Sequence, residues 1–236
     1  MRNFIILMFL FSIAACQSEE KKHSGKEVKA FPKQQKKQIK IENPTVGNTN
    51  DSKVFYHCDP NCIWEYYHPF ADTSYVFAVQ NCGEENLEKG KTARIYFGID
   101  RGQTDKIIWG ENVFIKTQKD FIEYKDFNGD DVNDILIFSE TGARGSNSYY
   151  FLYLVDSKNH KVNRVLDFEN IVNPEYNKKY NVILGYGYSG TNNYSVYKIS
   201  KANKVYQIGS SFEDDFDGDE EVLDGKIKDI LDKNRK

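Results

Sequence analysis

From residue 63 to residue 208 the apolar residues fall in short runs, and each run is closed by a cluster of turn-forming residues. In Tyr194-Ser195-Val196-Tyr197-Lys198-Ile199 the alternation has a period of two, which sends successive side chains to opposite faces of a strand. Sixteen Tyr and sixteen Phe, with frequent Val and Ile, suit pleated surfaces. Strands are predicted at 63–67, 74–79, 92–99, 112–117, 121–124, 134–138, 149–155, 162–166, 180–187, 193–199 and 205–208. Turns are marked by Glu88-Lys89-Gly90, Asp100-Arg101-Gly102, Ser157-Lys158-Asn159 and Lys201-Ala202-Asn203. No internal stretch keeps a helical period. Near the C-terminus, Val222, Leu223, Ile227, Ile230 and Leu231 lie three or four apart, and a short helix is expected there. The fold class is therefore all-β: one antiparallel domain, either a β-sandwich or a propeller-like arrangement. No repeat of about 40 residues recurs, which weighs against a full multi-bladed propeller.

One segment carries specific chemistry. Asp126-Phe127-Asn128-Gly129-Asp130-Asp131-Val132-Asn133-Asp134 places oxygen side chains at relative positions 1, 3, 5 and 9, with the backbone carbonyl of Val132 at position 7. Calcium takes six to eight hard oxygen ligands, and a tightly wound loop turns alternate residues inward. Gly129 permits the sharp turn. The predicted metal ligands for Ca2+ are Asp126, Asn128, Asp130, Val132 and Asp134. An EF-hand would end in a glutamate at position 12 on a helix, whereas here that position is Ile137 within an apolar, strand-like run. The loop instead resembles that of FG-GAP-type repeats, in which the calcium loop runs into a strand. A second acidic stretch, Asp215-Phe216-Asp217-Gly218-Asp219-Glu220-Glu221, matches at positions 1, 3 and 5 but has Leu223 at position 9, and is read as an acidic loop.

The N-terminus predicts the compartment. Arg2 precedes an apolar run from Phe4 to Ala15, and Ile13-Ala14-Ala15-Cys16 resembles the bacterial lipobox. The run is shorter than the roughly 20 residues that span a bilayer. Residues 1–15 are expected to be a lipoprotein signal peptide, with Cys16 as the lipidation site and residues 16–52 as a lipid anchor and flexible, disordered tether. Residues 53–236 then form the calcium-binding β domain. Eight lysines, four glutamates and scant aromatic content between Gln17 and Asn50 cannot bury enough apolar area to offset ordering entropy. Gln17 after the cysteine, where an inner-membrane retention signal would have Asp, points to the outer membrane of a bacterial cell envelope, on its periplasmic or surface face. The formal charge of the chain is −3, and the tether at +4 with Arg2 leaves residues 51–236 at −8. An acidic domain without a basic stripe argues against nucleic acid as a partner; the membrane, through the anchor, is an expected partner.

Export also favours disulfides among Cys58, Cys62 and Cys82, of which at most one can form within the molecule, in any of three pairings. A zinc site from His57, Cys58, Cys62 and His68 is the less favoured alternative, because no second ligand pair has matching spacing. Gly185-Tyr186-Gly187-Tyr188-Ser189-Gly190 matches a dinucleotide-binding pattern, but Thr191-Asn192-Asn193-Tyr194-Ser195-Val196 reads as turn and strand rather than helix. The glycines are expected to permit a bulge or turn among packed tyrosines. With no nucleophile elbow and no histidine at a fixed spacing from a serine or cysteine, the chain is expected not to be an enzyme.

Beyond the acidic loop come Gly142-Ala143-Arg144-Gly145-Ser146-Asn147-Ser148-Tyr149-Tyr150-Phe151-Leu152-Tyr153, then Asn173-Pro174-Glu175-Tyr176 and the segment 186–197. Over about residues 107–210 this order resembles a family of bacterial periplasmic proteins and lipoproteins. It includes immunity proteins against lysozyme-like effectors of type IV secretion systems, and its β fold is similar to that of invertebrate-type lysozyme inhibitors. The resemblance implies a protruding Gly/Ser loop that plugs the substrate groove of a lysozyme-like glycan hydrolase. Ser146, Asn147, Ser148 and Tyr149 stand at the matching positions, with Arg144 as a further contact for an acidic groove. The alternative is a surface adhesion or scaffold lipoprotein whose calcium loop is purely structural.

Overall fold

The computed structural model describes residues 53–56, 61–83, 89–116 and 121–234. The signal peptide, Cys16, the tether, His57 and Cys58 lie outside the described residues. Among those described, the chain builds three four-stranded antiparallel sheets in succession, then a helix. The first sheet comprises β1 (Ile63–Tyr67), β2 (Tyr75–Asn81), β3 (Ala93–Asp100) and β4 (Asp105–Val113). The second comprises β5 (Ile122–Lys125), β6 (Asp134–Gly142), β7 (Asn147–Asp156) and β8 (Lys161–Val165). The third comprises β9 (Pro174–Asn177), β10 (Val182–Tyr188), β11 (Asn192–Ile199) and β12 (Val205–Glu213). Each sheet is a simple meander in which sequence neighbours pair. The all-β, antiparallel expectation holds: among the described residues one four-stranded unit recurs three times without a recurring residue pattern.

The sheets pack face to face. One apolar core joins Phe77, Ile95 and Phe97 of the first sheet to Ile135, Ile137 and Tyr153 of the second. Leu136 and Leu152, on the opposite face of the second sheet, join Ile183 and Val205 of the third. Ile135, Leu136 and Ile137 are therefore buried in sequence, because a sheet covered on both faces needs apolar residues at every position. Val182, Leu184 and Val196, on the far face of the third sheet, pack with Ile227 of helix α1 (Glu220–Lys233). The expected terminal helix is present, and the acidic stretch before it caps it. Asp219 is the N-cap, accepting from the N–H groups of Glu221 and Val222, while the Asp214 carboxylate accepts from Gly218 N–H.

Two strands differ from expectation. Of the strand predicted at 112–117, residues 114–116 are not strand and residue 117 lies outside the described residues; only Asn112 and Val113 belong to a strand, the end of β4, which begins at Asp105. The charged and glycine residues of Lys106-Ile107-Ile108-Trp109-Gly110-Glu111 obscure its alternation. Asp105 is nevertheless buried, because its carboxylate accepts from Val54 N–H, Phe55 N–H and Lys53 Nζ and fastens segment 53–56 onto the sheet. β9 escapes prediction because it opens on Pro174, a residue that suits the first position of an edge strand. Cys62 pairs with Cys82, and the disulfide continues the β1–β2 ladder one step beyond Ile63 and Asn81. That bond takes Cys62 out of the alternative zinc set.

Candidate functional site

The acidic loop joins β5 to β6 and is wound by its own side chains. Asp126 accepts from the N–H groups of Asn128 (3.0 Å), Gly129 (2.6 Å) and Asp131 (3.0 Å). Asn128 Oδ1 accepts from Asp130 N–H, and Asp130 Oδ1 from Val132 N–H. Asp134 is fully buried; its two oxygens accept from Phe127 N–H at 2.9 Å and Val155 N–H at 3.0 Å. Alternate residues anchor the loop below: Phe127 enters the core between the second and third sheets, and Val132 packs against the core between the first and second.

The loop's electrostatics follow from burial. Desolvation pushes the Asp134 carboxyl up to about 7 against its two N–H donors, and the charges of Asp130 and Asp126 push the same way. At Asp126 burial also works upward, but the N–H groups of Gly129, Asp131, Asn128 and Asp130 outweigh it and hold that carboxyl below its usual value. Lys178 bonds Asp131 of this loop at 2.9 Å, and both side chains are exposed. Among the described residues, no three His, Cys, Asp or Glu side chains are gathered as a metal site, since the Asp134 oxygens face backbone donors. The donor chemistry still fits a hard divalent cation. Each carboxylate oxygen that holds one N–H keeps a second lone pair, and among the described residues Asp134 has no cationic partner.

The Gly/Ser loop joins β6 to β7. Ala143 (φ 45°), Arg144 (φ 58°) and Gly145 (φ 99°) are successive residues in the left-handed region, a conformation costing non-glycine residues about 1–2 kcal/mol each. Residues Ala143 to Ser146 are exposed, and Arg144 has no ion-pair partner among the described residues. The base of the loop is fixed by two asparagines. Asn147 is buried: its Oδ1 accepts from Tyr188 N–H at 2.9 Å and its Nδ2 donates to Tyr188 O at 3.1 Å. Asn173 Oδ1 accepts from Ser148 N–H at 2.8 Å, and its Nδ2 donates to Ser146 O at 2.9 Å and Tyr186 O at 2.8 Å. Its own N–H donates to Ser148 O. Of the residues expected to contact a partner, Arg144 and Ser146 are thus presented outward. Ser148 and Tyr149 are half-buried, the Tyr149 ring lying against Gly142. The Asn147 amide is occupied within the fold.

Asn173 had no role assigned from sequence; its one local signal is a non-glycine residue at φ 42° immediately before a proline, a strained position. The same short strand braces the acidic loop, since Tyr176 Oη lies where a side chain on Gly129 would sit. Of the glycines of the dinucleotide-like pattern, Gly185 and Gly187 lie inside β10 and let Ile171 and Val172 pack against the strand, while Gly190, at φ 90°, sits in the turn to β11. Replacing Asn173 with alanine should speed amide exchange at Ser148 by about 10–100-fold, because a bond to a folded-in carboxamide is lost. Asn173→Gly, which relieves the backbone but not the lost bonds, should show the same acceleration. Unchanged protection in both variants would show that the clasp does not hold the loop.

No protein-family model matches the chain, and none of the curated proteins does. Among solved structures, the chain is similar to a Xanthomonas type IV secretion system related protein. The two are 16% identical over 68% of this chain and 84% of the other, with a TM-score of 0.37. A likeness at that level transfers neither site nor function. No described helix is long and apolar enough to cross a membrane.

Proposed function

We propose that the chain is a calcium-stabilised binding lipoprotein of the bacterial cell envelope, anchored through Cys16, that inhibits a lysozyme-like peptidoglycan hydrolase. The observation that carries this reading is the exposed tip Ala143–Ser146, bent through three left-handed residues and fixed at its base by Asn147 and Asn173. A protrusion ordered before contact loses little entropy on binding. Arginine and tyrosine are frequent anchors of interfaces, and a glycan hydrolase groove carries the two carboxylates its reaction needs. Arg144 meets that charge, and Tyr149 backs the loop. The role is binding rather than catalysis. Calcium would be held by Asp126, Asn128, Asp130, Asp134 and the Val132 carbonyl, and would supply the positive charge that this acidic turn lacks.

The test is a panel of lysozyme-type hydrolases titrated with the purified domain. Stoichiometric inhibition of at least one is expected, weakened about 10–100-fold in an Arg144→Ala, Tyr149→Ala double variant. Failure of the wild-type domain against every hydrolase would overturn the inhibitor reading. The scaffold alternative gains support from the way Tyr176 and Lys178 lock the acidic loop to the third sheet. It predicts a melting temperature that chelator lowers, with no inhibition. In either case Asp130→Ala should remove the chelator effect. A wild-type melt indifferent to chelator would sink the calcium assignment alone.

A further inference from the structure

Beside the Gly/Ser loop the second and third sheets part and leave a cleft of about 510 Å³. Its floor is one face of the third sheet. Gly185 pairs with Ser195 and Gly187 with Asn193 across β10 and β11, so these four positions share that face with Tyr197. Lower down the same face is apolar and closed: Ile183 and Tyr197 pack there into the core against the second sheet. Higher up the residues are glycine, serine and asparagine; Ile171 and Val172 pack over Gly185 and Gly187, so Val172 forms part of the cleft's lining beside Asn193 and Ser195. The opposite wall is Tyr149 and Ala143.

The lining decides what such a cleft can hold. Among the described residues no Lys, Arg, Asp, Glu or His lines it, although 28% of the chain is charged. A charged ligand would lose its hydration without gaining a counter-charge. A purely apolar ligand would strip water from the tyrosine hydroxyls without replacing those hydrogen bonds. Among the described residues, neither the Tyr149 nor the Tyr197 hydroxyl has a hydrogen-bond partner, and Asn193 spends its Nδ2 on Thr191 while its carbonyl oxygen stays open. Aromatic faces that take C–H groups, beside unspent hydroxyl and carbonyl groups, suit a neutral ligand that is apolar on its flat faces and hydroxylated at its edges. The volume lies within the range usual for small-molecule sites, about 300–1,000 Å³.

We infer that the cleft between Tyr149 and the Gly185–Tyr197 face is a binding site for a neutral saccharide unit of a glycan chain. It adjoins the loop that the inhibitor reading uses but does not depend on that reading. A domain that holds the wall polymer while its finger meets a hydrolase would stay where the hydrolase works.

The experiment titrates the whole domain with chitotriose, with maltotriose and with a trigalacturonate, following amide and tyrosine resonances by NMR. Saturable shifts confined to residues around Tyr149, Asn193 and Tyr197 are expected with a neutral trisaccharide and absent with the charged one. Ser195→Leu, which fills the floor from a half-exposed position, should weaken binding at least tenfold while the spectrum elsewhere stays folded. Tyr149→Phe, which keeps the ring and deletes the hydroxyl, should weaken it less. No saturable shift with either neutral sugar, equal shifts with the uronate, or undiminished binding by Ser195→Leu would each overturn the site. Saccharide binding without inhibition of any hydrolase would leave this inference standing and remove the inhibitor reading. Inhibition without saccharide binding would do the reverse.

Discussion

The chelated domain should become more stable as pH falls from 8 to 5, the reverse of ordinary acid denaturation. The cause is Asp134. Its folded-state carboxyl is pushed up to about 7 by burial and by the charges of Asp130 and Asp126, while an unfolded aspartate titrates near 3.9. Between those values the folded chain holds a proton that the unfolded chain has released. The stabilisation from this group is fully present below the unfolded value and is lost as pH rises through about 7. Over the window from pH 8 to 5 it amounts to about 2–3 kcal/mol, or roughly 5–10 °C in Tm for a domain of this size. The acidic charge of residues 51–236 adds a general repulsion of the same sign, so a variant is needed to isolate the site. Asp134→Asn cannot titrate, and its amide would set an N–H donor against the N–H of either Phe127 or Val155. It should lower Tm at every pH and flatten the slope. If wild type and Asp134→Asn have the same slope, Asp134 is not the source. On the calcium reading, the metal holds the carboxylate ionised, so added calcium should raise Tm more at pH 8 than at pH 5.

Arg164→Ala should cost about 2–4 kcal/mol in urea melts, at an unchanged m-value. Arg164 sits where the first and second sheets meet, with its guanidinium 4.4 Å from the Phe151 ring centroid. Its Nη1 donates to Glu111 at 2.7 Å, and its Nη2 pairs with Glu169 at 3.2 Å. Tyr153, fully buried, donates its hydroxyl to the other Glu111 oxygen at 2.9 Å. Burial works against the arginine charge, but Tyr153, Glu111 and Glu169 outweigh it and keep the group protonated. Removing the arginine leaves two carboxylates facing a buried phenol with no cation between them, and the loss of an ion's partner costs more than the intact pair contributes. Partial exposure of Glu111 keeps the figure below the extreme for a fully buried pair. Arg164→Lys should recover part of the loss through charge without restoring the two-sided fork. A loss below about 0.5 kcal/mol for Arg164→Ala would show that solvent already carries these charges.

Most strands were legible because a strand is a local pattern. β1 was read to the residue, and β7, β8, β10, β11 and β12 differ from expectation mainly at their ends. The acidic loop was legible for the same reason, since its hydrogen bonds run between residues two to five apart. β4 was not, because the polar Asp105 at its head is explained by segment 53–56, about 50 residues earlier in the chain.

The sequence by itself determined the all-β class, the strand periods, the terminal helix and the nine-residue acidic turn, each from contacts within one turn or one strand of the chain. Only the tertiary structure decided that the sheets of the described residues number three and stack face to face, that Cys62 takes Cys82, and that Asn147 and Asn173 clasp the Gly/Ser loop. Those bonds join residues 13 to 41 positions apart. A carboxamide serves equally well in a turn, at a surface or in a buried clasp. What selects among these is the donor or acceptor that folding brings opposite it, and no local pattern records that partner.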